Sequence, residues 1–445
     1  MRTRGMQRRR VTSTAAAALG LLLVGLSTGP AQAESIRAQQ WYLDAMRAPE
    51  IWKSSTGRGM TVALIDSGVD GSLADLKGQV LDGKDFSSLR GDEHTDVVGH
   101  GTSMAAIIAA TGARGGANAS YGLAPGAKIL PIRMLDSQEV VGRMDANTEY
   151  SKKLTQAIRY AADSKAQIIN MSLALSDSRD RHDVGTPELA AAVRYALSKG
   201  KLLFAGVGNR GDKENLPSYP ASTPGVVGVG AVDRDVKVAA FSQRGPEVDI
   251  VAPGVDMFHA CTSATRLCES RGTSDATAIA SASAALIWSA HPDWTNNQVL
   301  RVMLGTLAKP ANGENRTDLL GYGAIRPRRA FTEPVDPGPA DVYPLPDLAA
   351  AAAKSPSPEA PKPTAPAKHE KAAPKSSDGG NALLWTGVGV AAALLIGAVV
   401  TAGILRSRRR SSATPPPPAY PPYVPAQGPY NHPPADPQHH PEQRQ

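Results

Sequence analysis

Three residues of this chain carry the side chains that a serine hydrolase needs, although they lie far apart in the sequence. They are Asp66, His100 and Ser274. A serine hydroxyl is a weak nucleophile at neutral pH, so it needs an imidazole to accept its proton and a carboxylate to fix the imidazole tautomer. Asp, His, Ser is one of the orders in which such triads occur. The three residues therefore predict a hydrolase with a serine nucleophile.

Ser274 stands at the start of an alanine-rich stretch that extends to Trp288 and predicts a long helix. Gly272 stands just ahead of this stretch, where a glycine gives the backbone freedom to turn. We therefore expect Ser274 at a helix N-terminus. There, unpaired backbone N–H groups and the positive end of the helix dipole stabilise a developing oxyanion.

The elements that must position these residues predict an α/β fold, with a mostly parallel sheet covered by helices on both faces. Residues 61–65 form a continuous apolar run that is typical of a buried parallel strand, and it ends at Asp66. Catalytic groups collect at this end of the strands in open α/β sheets. Further strands are predicted at residues 129–132, 167–173, 202–207, 226–232 and 249–252. Further helices are predicted at residues 103–110, 151–165, 187–199 and 293–307.

The segments around the three residues resemble the signatures of the subtilisin-like (subtilase) serine proteases. They read Ala63-Leu64-Ile65-Asp66-Ser67-Gly68, Gly99-His100-Gly101-Thr102 and Gly272-Thr273-Ser274. The resemblance covers residues 40–330. It implies a subtilisin-like fold and a serine endopeptidase that acts on protein or peptide substrates.

The resemblance also implies roles outside the triad. Residues 206–211 are similar to the family segment that carries the oxyanion-hole asparagine, which assigns that role to Asn209. Residues 170–173 resemble the strand that pairs with an extended substrate. The candidate substrate-binding residues are therefore Ser172, Leu173 and Gly206.

A second serine competes for the role of nucleophile. Residues 101–105 resemble the usual sequence around the nucleophile even more than the segment at Ser274 does, which makes Ser103 the alternative. Ser103 lies one helical turn after His100, so it would leave no separate histidine motif. It would also leave the segment at Ser274 unexplained. We therefore assign the nucleophile to Ser274.

The residue after the nucleophile departs from the family pattern, which usually has a methionine there. This chain has Asp275, and the usual proline three positions further on is Ala278. An acid in the first turn of a helix suits the helix dipole. Two interpretations remain open. Asp275 raises the pKa of His100, since a nearby negative charge favours the imidazolium, or it is an exposed helix-start residue with no catalytic part.

The chain has two cysteines, Cys261 and Cys268. Outside the cytoplasm a nearby pair is more often a disulfide than two free thiols, so we predict a bridge that closes the loop before Ser274. The two cysteines and His259 fall short of the four ligands of a zinc site, so no metal site is predicted. No cofactor is expected. Structural calcium, which many subtilases bind through loop oxygens, stays open.

The ends of the chain account for most of the net charge of +7, because each end carries five arginines. This distribution gives no reason to expect nucleic acid as a partner. Residues 1–33 have a basic start, an apolar run and a small-residue cleavage site, which together predict a secretory signal peptide, with a twin-arginine signal as the alternative. Residues 382–405 contain no charge and are long enough to span a bilayer. Arginines follow directly, which predicts a cytoplasmic C-terminus.

The predicted organisation therefore has five parts. They are a signal peptide at 1–33, a subtilisin-like peptidase domain at 34–332, a Pro/Ala-rich linker at 333–381, a transmembrane helix at 382–405 and a Pro-rich cytoplasmic tail at 406–445. This layout is similar to the mycosins, which are membrane-anchored subtilases associated with type VII secretion. The similarity implies an extracellular catalytic domain on the cell membrane, with secretion components as partners. The alternative is a structural component that stabilises a secretion complex, with little or dispensable proteolysis.

Overall fold

The computed structural model describes residues 35–135, 146–178, 180–333 and 335–354. The predicted signal peptide, transmembrane helix and cytoplasmic tail lie outside the described residues, as does most of the predicted linker. Within the described ranges, no helix has the length and apolar character that a membrane crossing requires.

A parallel sheet of seven strands forms the centre of the described part, in the order β2-β3-β1-β4-β6-β8-β9. Its strands are β1 (Thr61–Asp66), β2 (Lys84–Asp85), β3 (Lys128–Arg133), β4 (Ile168–Met171), β6 (Leu202–Gly206), β8 (Val227–Val232) and β9 (Ile250–Pro253). Two small antiparallel pairs lie outside it. They are β5 (Leu175–Ser176) with β7 (Ser218–Tyr219), and the hairpin of β10 (Met257–Ala260) and β11 (Leu267–Ser270). Each apolar run predicted as a strand overlaps a strand of the large sheet.

Helices cover both faces of the sheet. They are α1 (Ile36–Gln39), α2 (Trp41–Ala45), α3 (Ala48–Ile51), α4 (His100–Ala109), α5 (Ala146–Asp163), α6 (Pro187–Ser198), α7 (Thr273–Ala290), α8 (Asn296–Gly305), α9 (Arg329–Thr332) and α10 (Asp347–Lys354). Helices α4 and α7 pack on one face with the N-terminal helices, whereas α5 and α6 pack on the other. Each face of the sheet has its own hydrophobic core, the first under α4 and α7 and the second under α5 and α6. Side chains alternate along a strand, so β1 contributes to both: Val62 and Leu64 lie in the first core, and Ala63 and Ile65 lie in the second. The predicted α/β class with helices on both faces is confirmed.

Helix α7 is buried on nearly all sides, which explains its alanine-rich sequence. Small side chains let it lie closely against β4, β6, β8 and β9. Its larger apolar residues Ile279, Leu286 and Ile287 fill the first core, and burying each one stabilises the fold by about 1.5–3 kcal/mol. The packing fixes the N-terminal end of α7, where Ser274 lies.

The folded body extends beyond the predicted domain boundary at residue 332. Residues 335–354, which we call the C-terminal strap, pack on the domain and bury Leu345 to 3% exposure. The Arg301 guanidinium donates to the carbonyl oxygens of Pro337 (2.8 Å), Pro339 (3.0 Å) and Val342 (2.6 Å). Residues 335–354 of the predicted linker therefore pack on the domain, and the boundary at residue 333 stays a prediction. A proline-rich composition suggests an extended spacer. Such a segment can still pack on the domain when a guanidinium group, here that of Arg301, donates hydrogen bonds to its backbone carbonyl oxygens.

Candidate active site

The predicted acid and base meet at the end of β1. Asp66 is the last residue of β1, and His100 is the first residue of α4. His100 Nδ1 lies 2.7 Å from Asp66 Oδ1. The Asp66 side chain is 3% exposed and the imidazole is 36% exposed, so a buried carboxylate holds a ring that reaches the surface. Because the carboxylate binds Nδ1, Nε2 is the nitrogen that can exchange a proton with a hydroxyl.

A second carboxylate, which the sequence analysis missed, holds this geometry in place. Asp96 accepts hydrogen bonds from the backbone N–H groups of Gly99 (2.7 Å) and Thr102 (2.8 Å), and from the hydroxyls of Ser67 (2.8 Å) and Thr102 (2.5 Å). It therefore ties the turn after β1 to the first turn of α4. A sequence signal was available, because aspartate just ahead of a predicted helix commonly accepts from its first N–H groups. Gly99 has a φ of 82°, a conformation that favours glycine directly before the histidine.

Ser274 is the second residue of α7, as the sequence predicts for a helix N-terminus. Its hydroxyl lies 3.3 Å from the carbonyl oxygen of Ser172, and the Ser172 hydroxyl donates to the carbonyl of Ser274 at 3.1 Å. The residues after β4 therefore lie directly beside the start of α7. Ser274, His100 and Asp66 line the same crevice, which has a volume of about 1000 Å³.

The alternative nucleophile, Ser103, is engaged in the helix itself. Its hydroxyl donates to the carbonyl oxygen of Gly99 at 2.8 Å, one turn earlier in the chain. A hydroxyl bound in this way to the helix backbone is poorly placed to give its proton to an imidazole. The geometry therefore favours Ser274.

Asn209 has its amide fixed in one orientation at the mouth of the crevice. Its Oδ1 accepts from the Thr273 backbone N–H at 2.9 Å and from the Thr273 hydroxyl at 3.1 Å. A backbone N–H can only donate, so the amide oxygen must face Thr273 and the amide N–H groups face the other way. An exposed, oriented amide donor beside a helix N-terminus is suited to binding an oxyanion.

The candidate substrate-binding residues occupy two different environments. Ser172 and Leu173 line the crevice. Gly206 is not among the lining residues and faces the start of α7, where a Cβ added to it would lie 2.9 Å from the Thr273 hydroxyl. Gly206 thus permits close packing of β6 against the start of α7.

Asp275 is not an exposed helix-start residue, so that interpretation is wrong. It is 2% exposed, and its carboxyl group contacts the Ser270 hydroxyl. Burial raises the pKa of Asp275 to about 6, although the Ser270 hydrogen bond and the nearby His100 act in the opposite direction. Sequence position alone cannot indicate this, because the cover comes from the β10–β11 hairpin.

The predicted disulfide is present at the turn of that hairpin. Cys261 and Cys268 are joined, with their Cα atoms 5.8 Å apart. The Arg114 guanidinium donates to the carbonyl oxygens of Thr265 (3.1 Å) and Arg266 (3.4 Å) in the same turn. The turn is therefore held both covalently and by a neighbouring loop. In the part of the chain that the structure describes, no group of three or more His, Cys, Asp or Glu residues is arranged to hold a metal ion.

Comparison with known proteins agrees with this geometry. The model of the subtilase family matches residues 57–323. The thermophilic serine proteinase of Bacillus sp. (strain AK1) is 36% identical over 283 residues, which are 64% of this chain and 64% of that protein. The chain thus spans a little under two-thirds of the length of curated relatives such as this one.

Solved structures extend the likeness to mycosins. The MycP3 protease from the type VII (ESX-3) secretion system is 30% identical, with a TM-score of 0.58, over 69% of this chain and 90% of that one. A chain in the periplasmic assembly from the ESX-5 inner membrane complex is 26% identical, with a TM-score of 0.60, over 76% of this chain and 92% of that one. The family match covers most of the folded domain and includes all three signature segments. The chain belongs to the subtilase family.

Proposed function

We propose that this chain is a serine endopeptidase in which Ser274 is the nucleophile, His100 the general base and acid, and Asp66 the residue that orients the imidazole. One observation carries the proposal. His100 Nδ1 lies 2.7 Å from a buried Asp66 oxygen, in the same crevice as the Ser274 hydroxyl and the Asn209 amide. This combination of groups has the chemistry of acyl transfer to a serine.

The first half of the reaction would form an acyl-enzyme. Ser274 Oγ attacks the peptide carbonyl carbon while His100 Nε2 accepts the hydroxyl proton, and Asp66 stabilises the imidazolium that results. The carbonyl oxygen becomes an oxyanion, which accepts from the Asn209 amide and from the backbone N–H of Ser274. The C–N bond then breaks, and the leaving amine takes the proton from His100. In the second half a water molecule, activated by the same imidazole, hydrolyses the ester.

The substrate that we propose is an extended peptide. The residues after β4 line the crevice next to Ser274, where their backbone can pair with a peptide strand. The crevice is open and lined by both polar and apolar side chains, which suits a peptide backbone better than a small ligand. Leu173, which lines the crevice, would supply an apolar contact to this peptide.

We also propose that the peptidase domain is anchored outside the cell membrane as part of a type VII secretion system. The uncharged segment at 382–405 and the arginines after it support the anchor. The likeness to MycP3 and to a chain of the ESX-5 assembly supports the secretion link. Fractionation of cells that express the full chain, with protease added from outside, would test both the anchor and its orientation.

The decisive test is covalent labelling with a fluorophosphonate probe. We expect the parent protein to be labelled and the Ser274→Ala variant to be unlabelled, with a fall in peptide hydrolysis of about 10³-fold to 10⁶-fold. Ser103→Ala is the matched control and should retain labelling. Labelling that survives Ser274→Ala but disappears in Ser103→Ala would move the nucleophile to Ser103 and refute this assignment.

The second candidate function is a structural component of a secretion complex. It is favoured by the likeness to a chain that was solved within the ESX-5 periplasmic assembly. Secretion that survives Ser274→Ala but stops when the domain is deleted would support this role. Secretion lost in both cases would support the proteolytic one.

A further inference from the structure

In the wall of the catalytic crevice, three polar side chains, of which Ser270 and Asp275 line the crevice, form a hydrogen-bonded chain that the proposed reaction does not use. The Ser270 hydroxyl contacts Asp275 Oδ1 and lies 2.8 Å from His259 Nε2. His259 Nδ1 lies 2.9 Å from the carbonyl oxygen of Ala260. His259 and Asp275 are only 1% and 2% exposed. This hydrogen-bonded chain therefore joins the β10–β11 hairpin to the first turn of α7, with buried ends at His259 and Asp275 and a half-buried Ser270 between them.

The contacts of this chain require one more proton than neutral His259 and an ionised Asp275 would provide. A carbonyl oxygen only accepts, so His259 Nδ1 must carry a proton. Two contacts remain, between Nε2 and the Ser270 oxygen and between that oxygen and Asp275, but the serine hydroxyl has one proton. The second proton must lie either on Nε2, which makes an imidazolium, or on Asp275, which makes a carboxylic acid.

Burial decides between the two placements. Desolvation lowers the pKa of His259 to about 4 and raises the pKa of Asp275 to about 6, so the carboxyl group holds the proton more tightly than the imidazole. The other titratable groups that act on Asp275 lie on neighbouring elements. They are His100 on α4, whose positive charge opposes protonation of Asp275, and the buried phenol of Tyr42 on α2.

We propose that Asp275 is a positioning residue for the candidate catalytic centre, and that it acts as a neutral carboxylic acid. Its O–H donates to the Ser270 oxygen, and the Ser270 hydroxyl donates to His259 Nε2. These hydrogen bonds link Asp275, which follows Ser274, to the β10–β11 hairpin. Because the Asp275 carboxyl group is neutral, it does not place a second negative charge near His100. This inference rests on the proposed function, and it replaces the interpretation that an ionised Asp275 raises the pKa of His100.

Steady-state kinetics on three variants test the positioning role. Asp275→Asn keeps an N–H that donates to Ser270 as the acid does, so we expect kcat within about threefold of the parent at pH 6. Asp275→Ala and Ser270→Ala remove the tie, and we expect kcat to fall at least tenfold while KM changes less than twofold. The parent should lose activity as Asp275 ionises when the pH rises through about 6, and Asp275→Asn should lack this loss. A fall in kcat at pH 6 that is as large for Asp275→Asn as for Asp275→Ala would overturn the proposal.

NMR of the Ser274→Ala protein places the proton without any activity readout. We expect the Asp275 carboxyl carbon to show the protonated acid at pH 5.5, and His259 to be neutral with its proton on Nδ1. An ionised Asp275 beside a doubly protonated His259 would overturn the proposal even if all variants fold. If the parent enzyme is neither labelled by the fluorophosphonate nor active, the proposed function fails, and with it the positioning role, while the NMR still decides the proton placement.

Discussion

The two ends of the central sheet each hold an aspartate that is removed from solvent, but the hydrogen-bond donors around the two carboxyl groups differ. At the carboxyl end of β1, Asp66 accepts from His100 Nδ1 at 2.7 Å and from the Ser67 backbone N–H at 2.8 Å. At the amino end of β9, Asp249 is half-buried and accepts from the Gly228 backbone N–H at 2.9 Å. Burial raises the pKa of Asp249 to about 8, and the nearby Asp347 of the C-terminal strap acts in the same direction.

The difference shows that burial alone does not make an aspartate chemically useful. A carboxylate that binds an imidazole can stabilise positive charge during a reaction. A partly desolvated carboxyl group with one donor and acidic neighbours keeps its proton more readily and serves as a neutral hydrogen-bonding group. The number and type of donors around each aspartate therefore separate the candidate site from the structural end of the sheet.

The largest expected effect comes from exchanging Asp66 for asparagine. Asp66→Asn would present an amide instead of a carboxylate to His100 Nδ1, which favours the wrong imidazole tautomer. We expect kcat for peptide hydrolysis to fall by about 10⁴-fold. Asp249→Asn is the matched control at the other end of the sheet and should leave kcat unchanged. A smaller effect for Asp66→Asn than for Asp249→Asn would break the comparison.

The next effect concerns stability and belongs to Asp249. Its pKa is about 8 in the folded protein, compared with a usual value of 3.8, so folding takes up a proton between these values. The stability that this proton provides is complete below pH 4 and is lost as the pH rises through 8. We expect the parent to lose roughly 3 kcal/mol of unfolding free energy between pH 5 and 8 relative to Asp249→Asn. Denaturant unfolding at both pH values measures this, and equal pH dependence in the two proteins would contradict it.

The sequence predicted the parts of the molecule that depend on local patterns. Continuous apolar runs predicted β1 and the other main strands because a buried parallel strand must be apolar on both faces. The alanine-rich stretch predicted α7 because alanine favours helices and allows close packing. The crevice contains Asp66, His100, Ser274 and Asn209 together, as the signature segments led us to expect.

The sequence did not predict features that depend on contacts between distant segments. The burial of Asp275 was not predicted, because the first turn of a helix is usually exposed, whereas here the β10–β11 hairpin lies against it. The packing of the C-terminal strap on the domain was not predicted, because Arg301, which binds it, lies in α8 and is distant in the sequence. Asp96 was missed because its partners Ser67 and Thr102 come from two different turns, and only the fold brings them to one carboxylate.

The smallest expected effect is that of a substitution at Asp96. It tests how far the candidate site extends from the His100 imidazole. Asp96→Asn keeps one acceptor oxygen but turns an amide N–H toward a backbone N–H, which can only donate, so part of the connection between β1 and α4 is lost. We expect kcat to fall about tenfold with KM within twofold, which corresponds to about 1.4 kcal/mol of transition-state stabilisation.

Ser67→Ala is the control for Asp96→Asn. It removes one of the four hydrogen bonds to Asp96, together with the hydroxyl that accepts from the Gly101 backbone N–H at 3.0 Å, and leaves the other three bonds to Asp96 in place. We expect a loss of kcat of less than threefold for this variant. Both effects should appear in kcat at temperatures where each variant is fully folded, as checked by circular dichroism. If Asp96→Asn lowers only the melting temperature and leaves kcat unchanged, Asp96 belongs with Asp249 as a structural acid. The functional end of the sheet would then be confined to the residues that touch the imidazole and the hydroxyl.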